Sequence, residues 1–201
     1  MRNMRTQLSF APLPGIETEL LAVLAADTQT SKAPDARPAP VLLTADPVLL
    51  AAAAAVLTSG EFKGGANETL LLHAPAGLAA KRLLIVGLGK QAKATVNAVR
   101  NAAGVAVRFT KPRGIREVVF ALPIAGELPA AQSTRAAVEG AFVGDYDPDT
   151  YRSDRKDKSI ESFTLVAVAA DRAAGADRAA LRAGGCDRRS SAWPGRQSHH
   201  L

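Results

Sequence analysis

Cysteine is almost missing. Cys186 is the single one in 201 residues, so no internal disulfide forms, and the chain reads as a protein of a reducing compartment. Aromatic residues supply only 4% of the sequence, while hydrophobic residues as a whole supply 47%. Such a chain is not globally disordered, and its core has to be packed from alanine and branched aliphatics. A long apolar run is missing too. The longest, Pro47 to Leu57, falls well short of the ~20 residues that span a bilayer. The N-terminus, MRNMRTQLSFAPLPG, carries two arginines but no apolar stretch of signal-peptide length. These absences lead to the expectation of a soluble, cytoplasmic protein with no membrane association.

A basic stripe with interleaved aromatics is also lacking. The net charge is +6, but the last twenty residues, Arg182 to Leu201, hold a net +3 of it. The body is left with a weak basis for a DNA-binding face, so nucleic acid is not expected as a partner.

No catalytic constellation is legible. Ser133, Ser153 and Ser159 lie outside any G-x-S-x-G pattern, and Cys186 has no nucleophile signature around it. His73 ends an apolar run alone, and His199 and His200 sit together at the C-terminus. Asp145, Asp147 and Asp149 have the opening rhythm of a calcium loop. However, Thr150 stands where glycine is needed and Lys156 where a bidentate glutamate is needed. No catalytic residue and no metal ligand is assigned.

What is present is an alternation of strand-like and helix-like segments. Gln7–Phe10, Glu19–Leu24, Glu68–His73, Leu83–Val86, Val118–Leu122 and Ser162–Val168 read as strands. Asp27 to Pro40, with three prolines, reads as a loop. Asp46-Pro47 reads as a helix start, with Gly60 as its stop. Thr95 opens a second helix to about Thr110, with Val96, Val99, Ala103 and Ala106 on one face. Pro129–Val143 reads as a third, with Ala130, Thr134, Val138, Ala141 and Phe142 on its inner side. A further Ala/Arg helix begins near Asp171. The alternation predicts an α/β fold with a mixed sheet.

One segment invites a cofactor. RLLIVGLGKQA places Gly87-Leu88-Gly89-Lys90 after an apolar strand, which matches G-x-G-x-x-A. A dinucleotide loop needs its glycines to open a helix at once and an acid at the end of the next strand. The helix starts only at Thr95, and the next strand ends FALPIAG without an acid. Gly87, Gly89 and Lys90 are thus the only candidate cofactor loop, and a tight turn at a strand end is the favoured reading.

Three segments, GEFKGGANETLLLHAPAGLAAKRLLIVGLGK, NAAGVAVRFTKPRGIREVVFALP and AVEGAFVGDYDPDTYRSD, resemble the N-terminal domain of leucyl (cytosol) aminopeptidases in order and separation. The resemblance runs from about Gln7 to Ala180. It implies a macro-domain-like three-layer sandwich, a mixed sheet between helices. It also implies a family reaction, release of N-terminal amino acids from peptides, performed in a second domain by two divalent metals, zinc or manganese. The signature N-T-D-A-E-G-R of that second domain is absent from this sequence, and no family metal or catalytic residue carries over.

The expectation is therefore a non-catalytic N-terminal domain over residues 1–181, followed by an irregular tail, 182–201, from a truncated or frameshifted gene. It would be inactive alone and without a cofactor of its own. The relatives are hexamers, which implies a homo-oligomer or assembly with full-length subunits. Two alternatives stand beside it: a macro-like module binding ADP-ribose, and an accessory role in DNA binding.

Overall fold

The computed structural model describes residues 4–30, 37–123, 128–146 and 159–167. The helix expected near Asp171 and the tail 182–201 lie outside them. Among the described residues, seven strands and three α-helices follow one another in the order β1 (Arg5–Ser9), β2 (Leu20–Asp27), β3 (Pro40–Leu42), α1 (Pro47–Ser59), β4 (Thr69–His73), β5 (Arg82–Lys90), α2 (Val96–Thr110), β6 (Glu117–Ala121), α3 (Ala130–Asp145) and β7 (Ser162–Val166).

The strands form one sheet, ordered β1-β7-β6-β2-β5-β4, with β3 on β2. The pairs β1–β7, β7–β6, β6–β2 and β2–β5 are parallel, while β5–β4 and β2–β3 are antiparallel. The sheet is mixed, as the sequence predicts.

Strand β2 is buried along its whole length because both of its faces are covered. Leu20, Ala22 and Leu24 join Leu84, Val86, Phe120 and Phe163 beneath α2 and α3. Leu21, Val23 and Ala25 join Leu83, Ile85 and Val119 beneath Leu49 and Ala53 of α1. Alternate residues of an unbroken apolar run thus supply two cores, and the architecture is helix, sheet, helix. Each fully buried leucine contributes roughly 1.5–3 kcal/mol relative to an exposed one.

The helix boundaries follow local chemistry. Asp46 Oδ1 accepts from the amides of Val48 at 2.9 Å and Leu49 at 3.3 Å, and Gly60 at φ 82° ends the helix. Thr95 Oγ1 accepts from the Ala98 amide at 3.3 Å at the start of α2.

Helices α2 and α3 meet through glycine. A Cβ on Gly140 would collide with the Arg100 carbonyl oxygen and lie 2.8 Å from its carbon, and one on Gly144 would lie 2.6 Å from the Gly104 oxygen. The two backbones touch because these positions have no side chain.

Three expectations are corrected. Asp27–Pro40 is not loop throughout: Asp27 closes β2 and Pro40 opens β3, where an edge position tolerates the missing N–H. Phe142 does not face inward. It is 40% exposed, since the inner surface of α3 is taken by Ala137, Val138, Gly140, Ala141 and Gly144. The third correction concerns Gly87–Lys90, which form no turn. They extend β5, because β2 runs beside them as far as Asp27, pairing Ala25 with Gly87 and Asp27 with Lys90. The register slips between those pairs, where Gly89 adopts φ 87°, a bulge that glycine permits.

Candidate functional site

In a sheet with parallel strands, ligands gather beyond the carboxyl ends of the strands, where the chain direction of the connections switches. Here β2 carries β5 on one side and β6 on the other. Beside β6, β7 and β1 a cleft of about 350 Å³ opens at that end. Its walls come from Phe10 to Leu13 after β1, Thr44 to Asp46 before α1, Leu122 after β6, and Val166 and Ala167 at the end of β7.

The chemistry of this cleft is one-sided. Among the described residues, its lining contains no lysine, arginine or histidine. The one charged side chain among its described lining residues, Asp46, already occupies the first free amides of α1. Thr44 Oγ1 accepts from the Asp46 amide at 3.3 Å. A helix N-terminus facing a cleft attracts anions when its amides are free. Here a carboxylate fills that position, so the cleft presents apolar walls and a negative charge.

The candidate cofactor loop lies elsewhere, with Gly87 buried under protein and Lys90 exposed at its end. Glycine-rich residues Gly60 to Gly65 fold over the end of β5. Phe62 anchors them at 1% exposure, and Gly64 takes φ 73°. The Glu68 carboxylate accepts from the amide of Lys63 at 3.1 and 3.2 Å and from that of Gly65 at 2.8 Å. The Gly89 amide donates to the Gly64 carbonyl at 2.9 Å, and the Gly87 amide to the Glu68 carbonyl at 2.8 Å. A Cβ on Gly87 would meet the Gly65 carbonyl oxygen and come within 2.9 Å of the Gly64 carbonyl carbon. Gly87 is thus needed where one backbone lies on another, and Gly89 for its φ of 87°.

Lys90, the third residue of the candidate, is held by an ion pair. Its Nζ lies 2.7 Å from Asp27 Oδ2 and donates to the Gln29 carbonyl at 3.0 Å. Asp27 Oδ1 accepts from the amides of Gln29 at 2.9 Å and Ala39 at 3.0 Å. Burial pushes the Asp27 carboxyl up, but the Lys90 hydrogen bond and the two amides outweigh it and hold its pKa below the ordinary aspartate value of 3.8. A carboxylate whose pKa is lowered by folding stabilises the fold above its unfolded pKa. That stabilisation is lost as the pH falls below 3.8 through the lower folded value. Urea unfolding should therefore show a smaller loss of stability between pH 5.5 and about pH 3 in Lys90→Gln than in the native chain. An equal loss in both would remove Lys90 from the account.

Of the remaining candidates, Asp145 serves the fold. Its Oδ1 accepts from the Ile160 amide at 3.1 Å and lies 3.6 Å from Lys111 Nζ, tying α3 to β7 and to the end of α2. Asp147 and Asp149 lie outside the described residues, as do Ser153, Cys186, His199 and His200. His73 is exposed at the end of β4, and Ser133 is buried within α3. Among the described residues, no group of three or more His, Cys, Asp or Glu is placed to hold a metal ion. The described residues do not fit a two-metal centre. Among them, too, no helix is long and apolar enough to cross a membrane.

The sequence alone assigns no structural role to the side chains of Asp27, Glu68 or Phe62. The signal for Glu68 was local: an acid three residues after a glycine pair, within reach of the loop's own amides.

Layering and strand order define the class, a macro-like α/β sandwich. Two solved structures share it: a mutant of tomato leucine aminopeptidase (TM-score 0.60, 18% identity, covering 83% of this chain and 33% of that one), and a Trypanosoma brucei macrodomain in complex with ADP-ribose (TM-score 0.58, 16% identity, 86% and 68%). Residues 36–155 match the N-terminal domain of the cytosol aminopeptidase family, and the chain belongs to that family. A probable cytosol aminopeptidase of Acidobacterium capsulatum is 51% identical over 185 residues, which are 90% of this chain but 36% of the relative. The chain thus spans about a third of that relative's length.

Proposed function

We propose that this chain is the scaffold portion of a cytosol aminopeptidase: residues 1–181 form the N-terminal domain, 182–201 an irregular tail, and the peptidase chemistry belongs to the part of the relatives that it does not match. The carrying observation is the match over residues 36–155 together with 51% identity to a relative of which the chain spans 36%. Two features of the chain itself support the reading. The N-T-D-A-E-G-R signature is absent from the sequence. Glu19, Asp27, Asp46, Glu68 and Asp145 are engaged with backbone amides of the domain itself, and Glu139 and Glu161 with arginine side chains. In this reading the chain acts in the cytoplasm, by assembling with complete subunits. The purified chain is expected to release no leucine from Leu-p-nitroanilide with added manganese or zinc. Metal-dependent release would refute the proposal.

The macrodomain likeness raises nucleotide binding as a second reading, because the cleft occupies the position where such folds take ligands. Its chemistry opposes a diphosphate. No cation lines it among the described residues, and Asp46 already holds the helix amides. Calorimetry with ADP-ribose or ADP at millimolar concentration is expected to give no binding heat. A saturable heat lost in Leu122→Trp would establish the second reading instead.

A further inference from the structure

We infer that the exposed end of α3, formed by Phe142, Val143 and Tyr146, is the surface on which the remaining two-thirds of a full-length relative packs. The inference rests on the proposed reading of the chain as an aminopeptidase scaffold. Five large apolar side chains are exposed among the described residues. Val41 and Leu50 stand singly on β3 and α1, as isolated surface apolar residues ordinarily do. The other three fall at the end of a single helix, Phe142 at 40% and Val143 at 56% exposure in its last turn and Tyr146 at 70% in the residue that follows it.

The domain itself has no room for them. Turning α3 to bury Phe142 would pull Gly140 and Gly144 off the backbone of α2, where their missing side chains allow contact with Arg100 and Gly104. The inner face is also full, with Ala137, Val138 and Ala141 at 0% exposure. Along its outer side the helix changes character. Arg135 Nε donates to Glu139 Oε1 at 2.8 Å in a solvated i,i+4 pair, and the next turn presents Phe142 and Val143, then Tyr146. Lys111 and Asp145, the charges next to Tyr146 in the chain and at the end of α2, are mostly shielded from solvent and neutralise one another. An aromatic and aliphatic centre with charge at its border is the composition of a protein interface.

The occupant follows from length. The Acidobacterium capsulatum relative has 64% of its length outside the region that the chain spans, since the chain accounts for 36%. Domains of one polypeptide commonly meet through ~600–1,500 Å². A partner of that size needs an apolar surface on this domain. Among the described residues, α3 offers the one place where large apolar side chains cluster on the outside.

The test splices the chain in place of the matching segment of the Acidobacterium capsulatum enzyme and compares this chimera with the chain alone. In both, Phe142→Ser, Val143→Ser and Tyr146→Ser are introduced together, with Arg135→Ser as a control on the polar half of the same face. The triple variant is expected to leave the melting temperature of the chain alone unchanged and to lower that of the chimera by about 5 °C or more. Arg135→Ser should change neither. An equal loss in the chain alone would show that the three side chains serve this domain, and no loss in the chimera would show that nothing docks there. A native dimer of the chain that the triple variant dissolves, seen by sedimentation, would give the surface to a second copy. Each of these overturns the inference. If the unsubstituted chimera fails to cleave Leu-p-nitroanilide, the scaffold reading falls first. If it cleaves normally, and the triple variant melts with it, only the docking surface is lost.

Discussion

Gly140→Val is expected to lower the melting temperature of the chain by roughly 6–12 °C. A β-carbon at this position would run into the carbonyl oxygen of Arg100 and lie 2.8 Å and 3.1 Å from its carbonyl and α-carbons. The obstacle is helix backbone, which cannot swing aside as the end of a flexible side chain can. Overpacking a core costs typically ~1–3 kcal/mol, and more when neither partner is free to move. Valine's branched methyls add to the crowding, and its helix propensity falls well short of alanine's. A penalty of about 3 kcal/mol corresponds to that temperature shift for a domain of this size. Gly15→Ala provides the comparison, because a Cβ there meets nothing within 4 Å. Calorimetric scans of the two variants should differ sharply. Equal melting temperatures would mean that α2 and α3 do not approach as described.

Phe62→Ala should cost about as much, ~3–5 kcal/mol, the range for removing a large side chain from a closed site. Phe62 is 1% exposed and packs with Leu21, Leu83 and Ile85 in the core beneath α1. Its loss would empty space under the loop that covers the end of β5. The effect therefore extends beyond the cavity: the Gly89 to Gly64 hydrogen bond and the Glu68 contacts with the Lys63 and Gly65 amides depend on the loop staying in place. Urea titration measures the loss, and hydrogen exchange at the Gly87 and Gly89 amides should rise in step. A destabilisation under ~1 kcal/mol would show that the loop is held by its backbone alone.

Much of this arrangement was legible in the residues. Asp46-Pro47 and Gly60 bracket α1 because capping is a local event. The unbroken apolar runs of β2 and β5 announce strands covered on both faces, and the structure supplies the two covers. Gly87–Lys90 was read differently because a glycine pair after a strand is ambiguous in one dimension. Whether it turns or continues depends on what lies alongside, and its neighbours, Asp27 and Gly64, are distant in sequence. For the same reason the sequence pattern alone places Phe142 inside. Helical periodicity locates a face, but the depth of that face is fixed by Gly104, Gly140 and Gly144 meeting across two helices. The cleft was not foreseen at all, since its walls come from four separate segments.

The central claim is that the described domain is a scaffold whose acids Glu19, Asp27, Asp46, Glu68 and Asp145 are engaged with its own backbone amides. Manganese suits a test, because it favours carboxylate oxygens. The purified chain is saturated with manganese, dialysed to equilibrium against metal-free buffer and assayed for bound metal by elemental analysis. The account predicts no stoichiometric manganese on the chain. Two manganese ions retained per chain, lost together when carboxylates are substituted, would contradict it.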